Sequence, residues 1–264
     1  MKLERAKGTR DFSPKEKILR QNIVEILSDT FELYGFSPFE TPAIERFDVM
    51  AAKFGAGSDS DVMKEVFTFE DQGKRKLGLR YELTFPLARY IAMNPSIKMP
   101  FKRYEIGRVY RDGPIKLGRY REFWQCDVDI VGAKTGIADA EIITLAAHTF
   151  KRLGLKAVIE VNSRKLLNDF LLKSGIQNSL HEAVIIIIDK LKKVGKNEVI
   201  KELKEKGIKD SQSSFLLDLI NISGTNSEKL QILKEKLGES EGIKETETLF
   251  FNLYNFGVER DIKV

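Results

Sequence analysis

Between residues 111 and 129 the chain sets Arg111, Arg119 and Arg121 ahead of Gln125, Asp127 and Asp129. Guanidinium groups gathered at one place suit bidentate binding of phosphate oxygens. Carboxamide and carboxylate acceptors further along suit an ammonium or another N–H-bearing ligand. An anion-binding end joined to a cation-binding floor suggests two ligands meeting in one cleft, and ATP meeting an amino acid fits that pairing. Attack by a carboxylate on an α-phosphate needs no side-chain nucleophile. It needs alignment, and neutralisation of the charge that builds on the phosphorus oxygens, which arginines and Mg²⁺ supply.

Such groups need rigid elements to hold them. "GRYREFWQCDVDIVG", residues 118–132, separates with period two. Tyr120, Glu122, Trp124, Cys126, Val128 and Ile130 make a mostly apolar face; Arg121, Phe123, Gln125, Asp127, Asp129 and Val131 make the other. A strand sends the two sets to opposite sides of a sheet, one toward a core and one toward the floor of a polar site. "FKRYEIGRVYR" is the preceding strand, and "DGPIKLG", with Gly113, Pro114 and Gly118, joins the two as a hairpin. Arg111 then ends the first strand, and Arg119 and Arg121 open the second.

The surrounding elements alternate in type. Residues 15–35 show helical spacing at Ile18, Ile23, Ile26, Leu27, Phe31 and Leu33, with Ser13 and Pro14 at the start and Gly35 at the end. "FSPFETPAI" carries Pro38 and Pro42, which fit an edge or irregular strand. "EVFTFEDQGKRKLGLR" reads as a hairpin turning at Gly73, and "LTFPLARYIAM" as a short helix after Thr84. Residues 137–153 read as a helix, "AVIEVN" as a strand, and "SRKLLNDFLLKSG" as a helix capped by Ser163. The apolar run Ala183–Ile188 is short enough for a buried strand. From residue 186 onward lysine and glutamate with helical periodicity suggest a separate small module. The last ten residues, "NFGVERDIKV", are strand-like with no closing helix, as in an interrupted fold.

At 264 residues, 42% hydrophobic and 31% charged, the chain has an ordinary profile for a protein in water. No apolar run approaches the length that crosses a bilayer, and the charged start "MKLERAKGTRDFSP" is unlike a signal peptide. A single cysteine, Cys126, excludes an internal disulfide framework. With only His148 and His181 besides, no metal ligands are assigned. A cytoplasmic location follows as an expectation. The net charge of +5 permits nucleic-acid binding without requiring it.

"YRDGPIKLGRYREFWQCD" resembles motif 2 of class II aminoacyl-tRNA synthetases: an aromatic residue and arginine, a variable loop, then Arg119, Phe123 and Asp127 at the motif's spacing. More narrowly, "KGTRDFSP", "FETPAIE", "LRYELTFPLARYIA" and "GRYREFWQCDVDIVG" resemble histidyl-tRNA synthetases of the archaeal and eukaryotic type. "VNSRKLL" and "IDKLKKVGKNEVIKEL" are similar to that family's passage into its helical insertion. The resemblance covers essentially the whole chain, and its specificity lies in the order of the strings.

The resemblance implies an α/β (α+β) fold, a class II antiparallel sheet flanked by helices, incomplete at the C-terminal side. It implies a catalytic core over 1–185, a helical insertion over 186–250, and a start of the return to the core over 251–264. The implied activity is ATP-dependent formation of histidyl-adenylate, with Mg²⁺, and transfer to tRNA(His). Glu82, Thr84, Gln125 and Asp129 would contact histidine. Arg111 would hold the α-phosphate as the catalytic arginine, Arg119 would lie near the outer phosphates, and Arg121 would contact ATP or the tRNA acceptor end. Pro42 would be the motif 1 proline at a homodimer interface, and "KGTRDF" a structural segment close to the site.

Two departures stand out. The family's acidic residue two positions after the motif 2 arginine, which contacts adenine, is Gly113 here, so Asp112 or backbone would serve. The histidine-specific "RGLDYY" motif, motif 3 and the anticodon-binding domain find no counterpart. The 264 residues read as an N-terminal fragment of a longer synthetase, defective on its own. The rival reading is a non-catalytic paralogue, the histidine-sensing regulatory subunit of ATP phosphoribosyltransferase. A basic RNA-binding module would leave the polar strand face unexplained.

Overall fold

The computed structural model describes residues 2–53, 61–133, 136–258 and 262–263. The chain divides into two compact units, one of residues 1–134 with 152–154, the other of 135–151 with 155–264.

The first unit begins with helix α1, Pro14–Leu33. Ser13 caps it: the Ser13 hydroxyl accepts the Glu16 N–H, and the Glu16 carboxylate accepts the Ser13 N–H, which satisfies two of the end's orphan donors. Strands β1 (Ser37–Pro38) and β2 (Ile44–Arg46) lead to α2 (Phe47–Lys53) and α3 (Asp61–Lys64). The hairpin β3 (Thr68–Glu70) and β4 (Lys76–Leu79) follows, with β4 lying between β2 and β3. Its turn places the positive φ of 57° at Lys74 rather than at Gly73. The Asp71 carboxylate steadies the turn by accepting the Arg75 N–H at 2.9 Å. Helix α4 covers Thr84–Met93. Met50, Met63, Val66 and Phe85 form one buried cluster of this unit.

Strands β5 (Phe101–Tyr110) and β6 (Glu122–Val131) pair antiparallel over ten residues each, with β1 parallel on the far side of β5. The hairpin expected from period two is therefore present. Its Tyr104 and Val128 face packs toward α1, where Tyr104 meets the Phe31 ring at 5.3 Å and donates its hydroxyl to Glu32 at 2.7 Å.

The second unit holds α5 (Gly136–Arg152, all but its last residue), β7 (Ile159–Glu160) and α6 (Arg164–Lys173), whose N-terminus Ser163 caps as expected. After a 3-10 turn at Asn178–Leu180 come α7 (His181–Ile188), α8 (Leu191–Val194), α9 (Lys196–Glu205), α10 (Asp210–Ile220), α11 (Asn226–Leu237) and α12 (Glu241–Asn255). Strand β8, Ile262–Lys263, returns parallel to β7. The run Ala183–Ile188, expected as a strand, is helical. Val184, Ile185, Ile187 and Ile188 are buried there among leucines of α6, α9 and α10, and that packing overrides the β preference of branched side chains.

Candidate active site

Register builds the site. Across β5 and β6, Arg103 lies opposite Asp129, Glu105 opposite Asp127, Gly107 opposite Gln125 and Val109 opposite Phe123. Side chains at these alternate positions share one face. That face carries a chain of charges from its depth to its surface. Glu105, 2% exposed, accepts the N–H and hydroxyl of Thr41 and the Arg80 Nη1 at 2.8 Å. Arg103, 0% exposed, lies 3.9 Å from Glu105 and 2.6 Å from the Asp129 carboxylate. The short Arg103–Asp129 contact is an ion pair by distance but is not aligned as a hydrogen bond, since Asp129 Oδ2 has no hydrogen-bond partner among the described residues.

Arg80 reaches this layer from the end of β4, donating to the carbonyls of Arg108 at 2.7 Å and Thr41 at 2.6 Å. Gly107 makes room for it: a Cβ there would run into the Arg80 guanidinium. Above, Gln125 keeps its side-chain oxygen buried with no hydrogen-bond partner among the described residues. Burial, with Asp129, Glu82 and Glu105 added, pushes the Asp127 carboxyl above the usual carboxylate range against the pull of Arg103. The floor is thus acidic and holds unanswered acceptors, so a ligand donating N–H groups would be stabilised there.

The arginine end is built differently. Arg111 donates Nε to the Tyr81 carbonyl at 3.2 Å and lies over the Tyr81 ring at 4.3 Å and the Phe123 ring at 5.0 Å. This stacking fixes the guanidinium plane. The Tyr81 hydroxyl donates to Glu65 at 3.0 Å, and burial with that bond raises its pKa while Arg111 and Arg119 oppose the rise. Arg119 is exposed in the hairpin loop, where its N–H donates to the Lys116 carbonyl. Arg121 is engaged locally: it pairs with Asp112 at 2.9 Å and its N–H donates to the Gly8 carbonyl at 2.8 Å. Gly8, at φ 83°, lies flat against the Arg121 side chain, and a Cβ would stand 2.7 Å from it. The "KGTRDF" segment therefore sits beside the hairpin mouth.

The remaining residues are placed as follows. Glu82 caps α4, accepting the N–H of Thr84 at 3.3 Å and of Phe85 at 2.6 Å, while Thr84 is exposed. Thr84 does not cap the helix; the N-cap position is Leu83, with no side-chain bond. Pro42 is exposed and directly follows Thr41, the donor to Glu105. The position of Gly113 is overlooked by Glu65, whose carboxylate would stand 2.9 Å from a Cβ there.

Arg80, Arg103, Glu105 and Glu65 carry much of this geometry, and none was singled out from the sequence, although Arg80 lies within "LRYELTFPLARYIA". A signal existed for two more: Arg103 and Glu105 alternate along β5 in phase with Arg111, which directly follows the strand's last residue, Tyr110. Among the described residues no group of three His, Cys, Asp or Glu could hold a metal ion.

Comparison with known proteins supplies the context. The family model described as histidyl-tRNA synthetase matches residues 8–255. Histidine–tRNA ligase 1 of Bacillus anthracis is 46% identical over 220 residues, which cover 83% of this chain and 51% of that protein. The crystal structure of histidyl-tRNA synthetase from Nostoc sp. PCC 7120 matches all of this chain and 61% of its own, with a TM-score of 0.87 and 30% identity. An ATP phosphoribosyltransferase regulatory subunit/histidyl-tRNA synthetase from Bacillus halodurans C matches at 22% identity and a TM-score of 0.82, a likeness of fold. The chain spans about half the length of the curated relatives it matches.

Proposed function

The chain belongs to the histidyl-tRNA synthetase family, and from that premise we propose that it serves the ligation of histidine to tRNA(His) through a histidyl-adenylate. The observation that carries this reading is the acidic floor with its unanswered acceptors beside a stacked arginine. Asp129 and Gln125 would receive the N–H groups of histidine, with Glu82 and Thr84 at the rim. Arg111, held flat between Tyr81 and Phe123, would meet the α-phosphate of ATP, and Arg119, exposed in the hairpin loop, the outer phosphates. The histidine carboxylate would attack the α-phosphorus, forming the mixed anhydride while the bond to pyrophosphate breaks. Arg111 would neutralise charge gathering on the non-bridging oxygens. Arg121 and Asp112 would brace the loop through their ion pair, and Glu65 would take the adenine-facing place that Gly113 leaves open. Mg²⁺ would travel with the ATP phosphates; no step is assigned to it.

Three further elements of the reading rest on the family. They are a homodimer formed around the segment containing Pro42, a helical insertion over 186–250 within a core running from 1–185 into 251–264, and a cytoplasmic location. No described helix is long and apolar enough to cross a membrane.

The test is calorimetric titration of the 264-residue chain with histidine, repeated on Asp129→Ala. Loss of that buried acceptor should weaken binding by roughly 2–4 kcal/mol. Equal affinity of the two proteins would remove Asp129 from the site. Histidine-dependent exchange of pyrophosphate into ATP, run beside a full-length relative, separates activation from histidine sensing.

A further inference from the structure

Arg103 is the largest of the fully buried side chains among the described residues. An ionised guanidinium without exposure is expensive to bury, and an apolar side chain of like volume fills such a place as well or better. Filling the core is therefore not a sufficient reason for arginine at this position. Its polar contacts are few. Nη2 donates to the Leu83 carbonyl at 3.2 Å and lies 2.6 Å from Asp129; Nη1 lies 3.9 Å from Glu105. Nε and Nη1 have no hydrogen-bond partner among the described residues, so the pairing with Asp129 is the closest engagement of the group.

The two carboxylates around it are not equivalent. Glu105 is already fixed by Thr41 and Arg80 and forms a rigid charge behind Arg103. Asp129 is partly exposed at the cleft floor and pairs with Arg103. Charged groups around this floor include Arg103 and Glu105 on β5, Arg80 on Glu105, Asp127 on β6 and Glu82 ahead of α4. Arg103 gives Asp129 a counter-charge within 2.6 Å.

We propose that Arg103 is a positioning residue of the amino-acid site, which holds the Asp129 carboxylate in one orientation toward a cationic or N–H-donating substrate group. This rests on the reading of the β5–β6 face as the histidine site. The order Glu105, Arg103, Asp129, from depth to surface, then makes Arg103 the link through which a fixed interior charge sets a substrate-facing one.

The experiment compares the wild-type chain with Arg103→Met, Arg103→Lys, Asp129→Asn and the double variant of Arg103→Met with Asp129→Asn. Histidine affinity is measured by calorimetry, folding by thermal denaturation, and the setting of the Asp129 carboxylate by its ¹³C NMR signal at pH 7. Arg103→Met should weaken histidine binding at least about tenfold and displace the Asp129 carboxyl signal, and Arg103→Lys should restore part of both. In the Asp129→Asn background the Arg103→Met change should cost less than about twofold, because its route is already cut. Wild-type affinity in a folded Arg103→Met protein, or an equal loss in both backgrounds, would overturn the assignment. Should Arg103→Met not fold, wild-type affinity and an unchanged Asp129 carboxyl signal in Arg103→Lys would overturn it equally. A wild-type chain that binds no histidine would instead overturn the functional reading, and the Asp129 carboxyl signal would still decide the role of Arg103.

Discussion

The β5–β6 face and the helical region after residue 160 are both rich in charge, yet they place it in opposite ways. On the strand face Arg80, Arg103 and Glu105 are buried together, and the nearby Glu45 is buried against Arg89. In the helical region the buried cluster is apolar, with Leu166, Val184, Val199, Leu203, Leu216 and Leu217 at its centre. Its lysines and glutamates pair at the surface, as in Lys204 with Asp210 and Lys234 with Glu247. Buried ion pairs are a poor route to stability, because desolvation offsets much of their attraction. The strand face therefore carries charge at a desolvation cost that the apolar cluster of the helical region avoids.

Breaking the contrast at its strongest point should give the largest effect. Glu105→Gln keeps the shape but leaves Arg80 and Arg103 without their shared counter-charge, and should cost roughly 3–5 kcal/mol in urea unfolding. A loss under about 1 kcal/mol would mean that the interior charges are compensated elsewhere. In the helical region the equivalent injury is apolar: Leu216→Ala opens a cavity at a fully buried site and should cost roughly 2–5 kcal/mol. A negligible loss there would show that the cluster is loosely packed.

Smaller effects sharpen the comparison. Thr225 caps α11 by accepting the Glu228 N–H, so Thr225→Ala should cost about 1 kcal/mol, read as a lowered melting temperature. Asp127→Asn should act in the other direction. Its raised pKa means that the folded state binds the proton more tightly than the unfolded one. Stability therefore falls as pH rises from the ordinary value of 3.8 through the folded value, and stays lowered above it. The variant should be more stable than wild type at pH 7, with the advantage fading as pH falls through the folded value and lost below 3.8. An advantage independent of pH would assign the effect to packing. Lys204→Ala, which removes one surface pair, should change stability by no more than about 0.5 kcal/mol and bring the smallest response to added salt.

Much of the frame was legible because it is local. Ser13, Pro14 and Glu16 announce the start of α1, and Ser163 that of α6, since capping depends on residues within one turn. The β5–β6 hairpin follows from period-two alternation on either side of a glycine- and proline-containing loop. The run Ala183–Ile188 misled for the complementary reason: six apolar residues carry no periodicity, and only burial among neighbouring helices selects the helix. Glu82 and Thr84 were legible as a pair at the start of a helix, but not that the Glu82 carboxylate would accept the N–H groups of Thr84 and Phe85 there.

By itself the sequence determined the hairpin, the side of it on which Arg111, Gln125 and Asp129 lie, and the family to which these strings are similar. Periodicity and short-range hydrogen bonding suffice for those, because both are written within a few residues. Only the tertiary structure decided which charges are buried. It set Arg103 opposite Asp129, brought Arg80 and Thr41 onto Glu105 from elements 25 and 64 residues away, and placed Glu65 over Gly113. A buried arginine and an exposed one are the same letter. What separates them is the company that register and packing provide, and the interior cost of charge makes that company the deciding term.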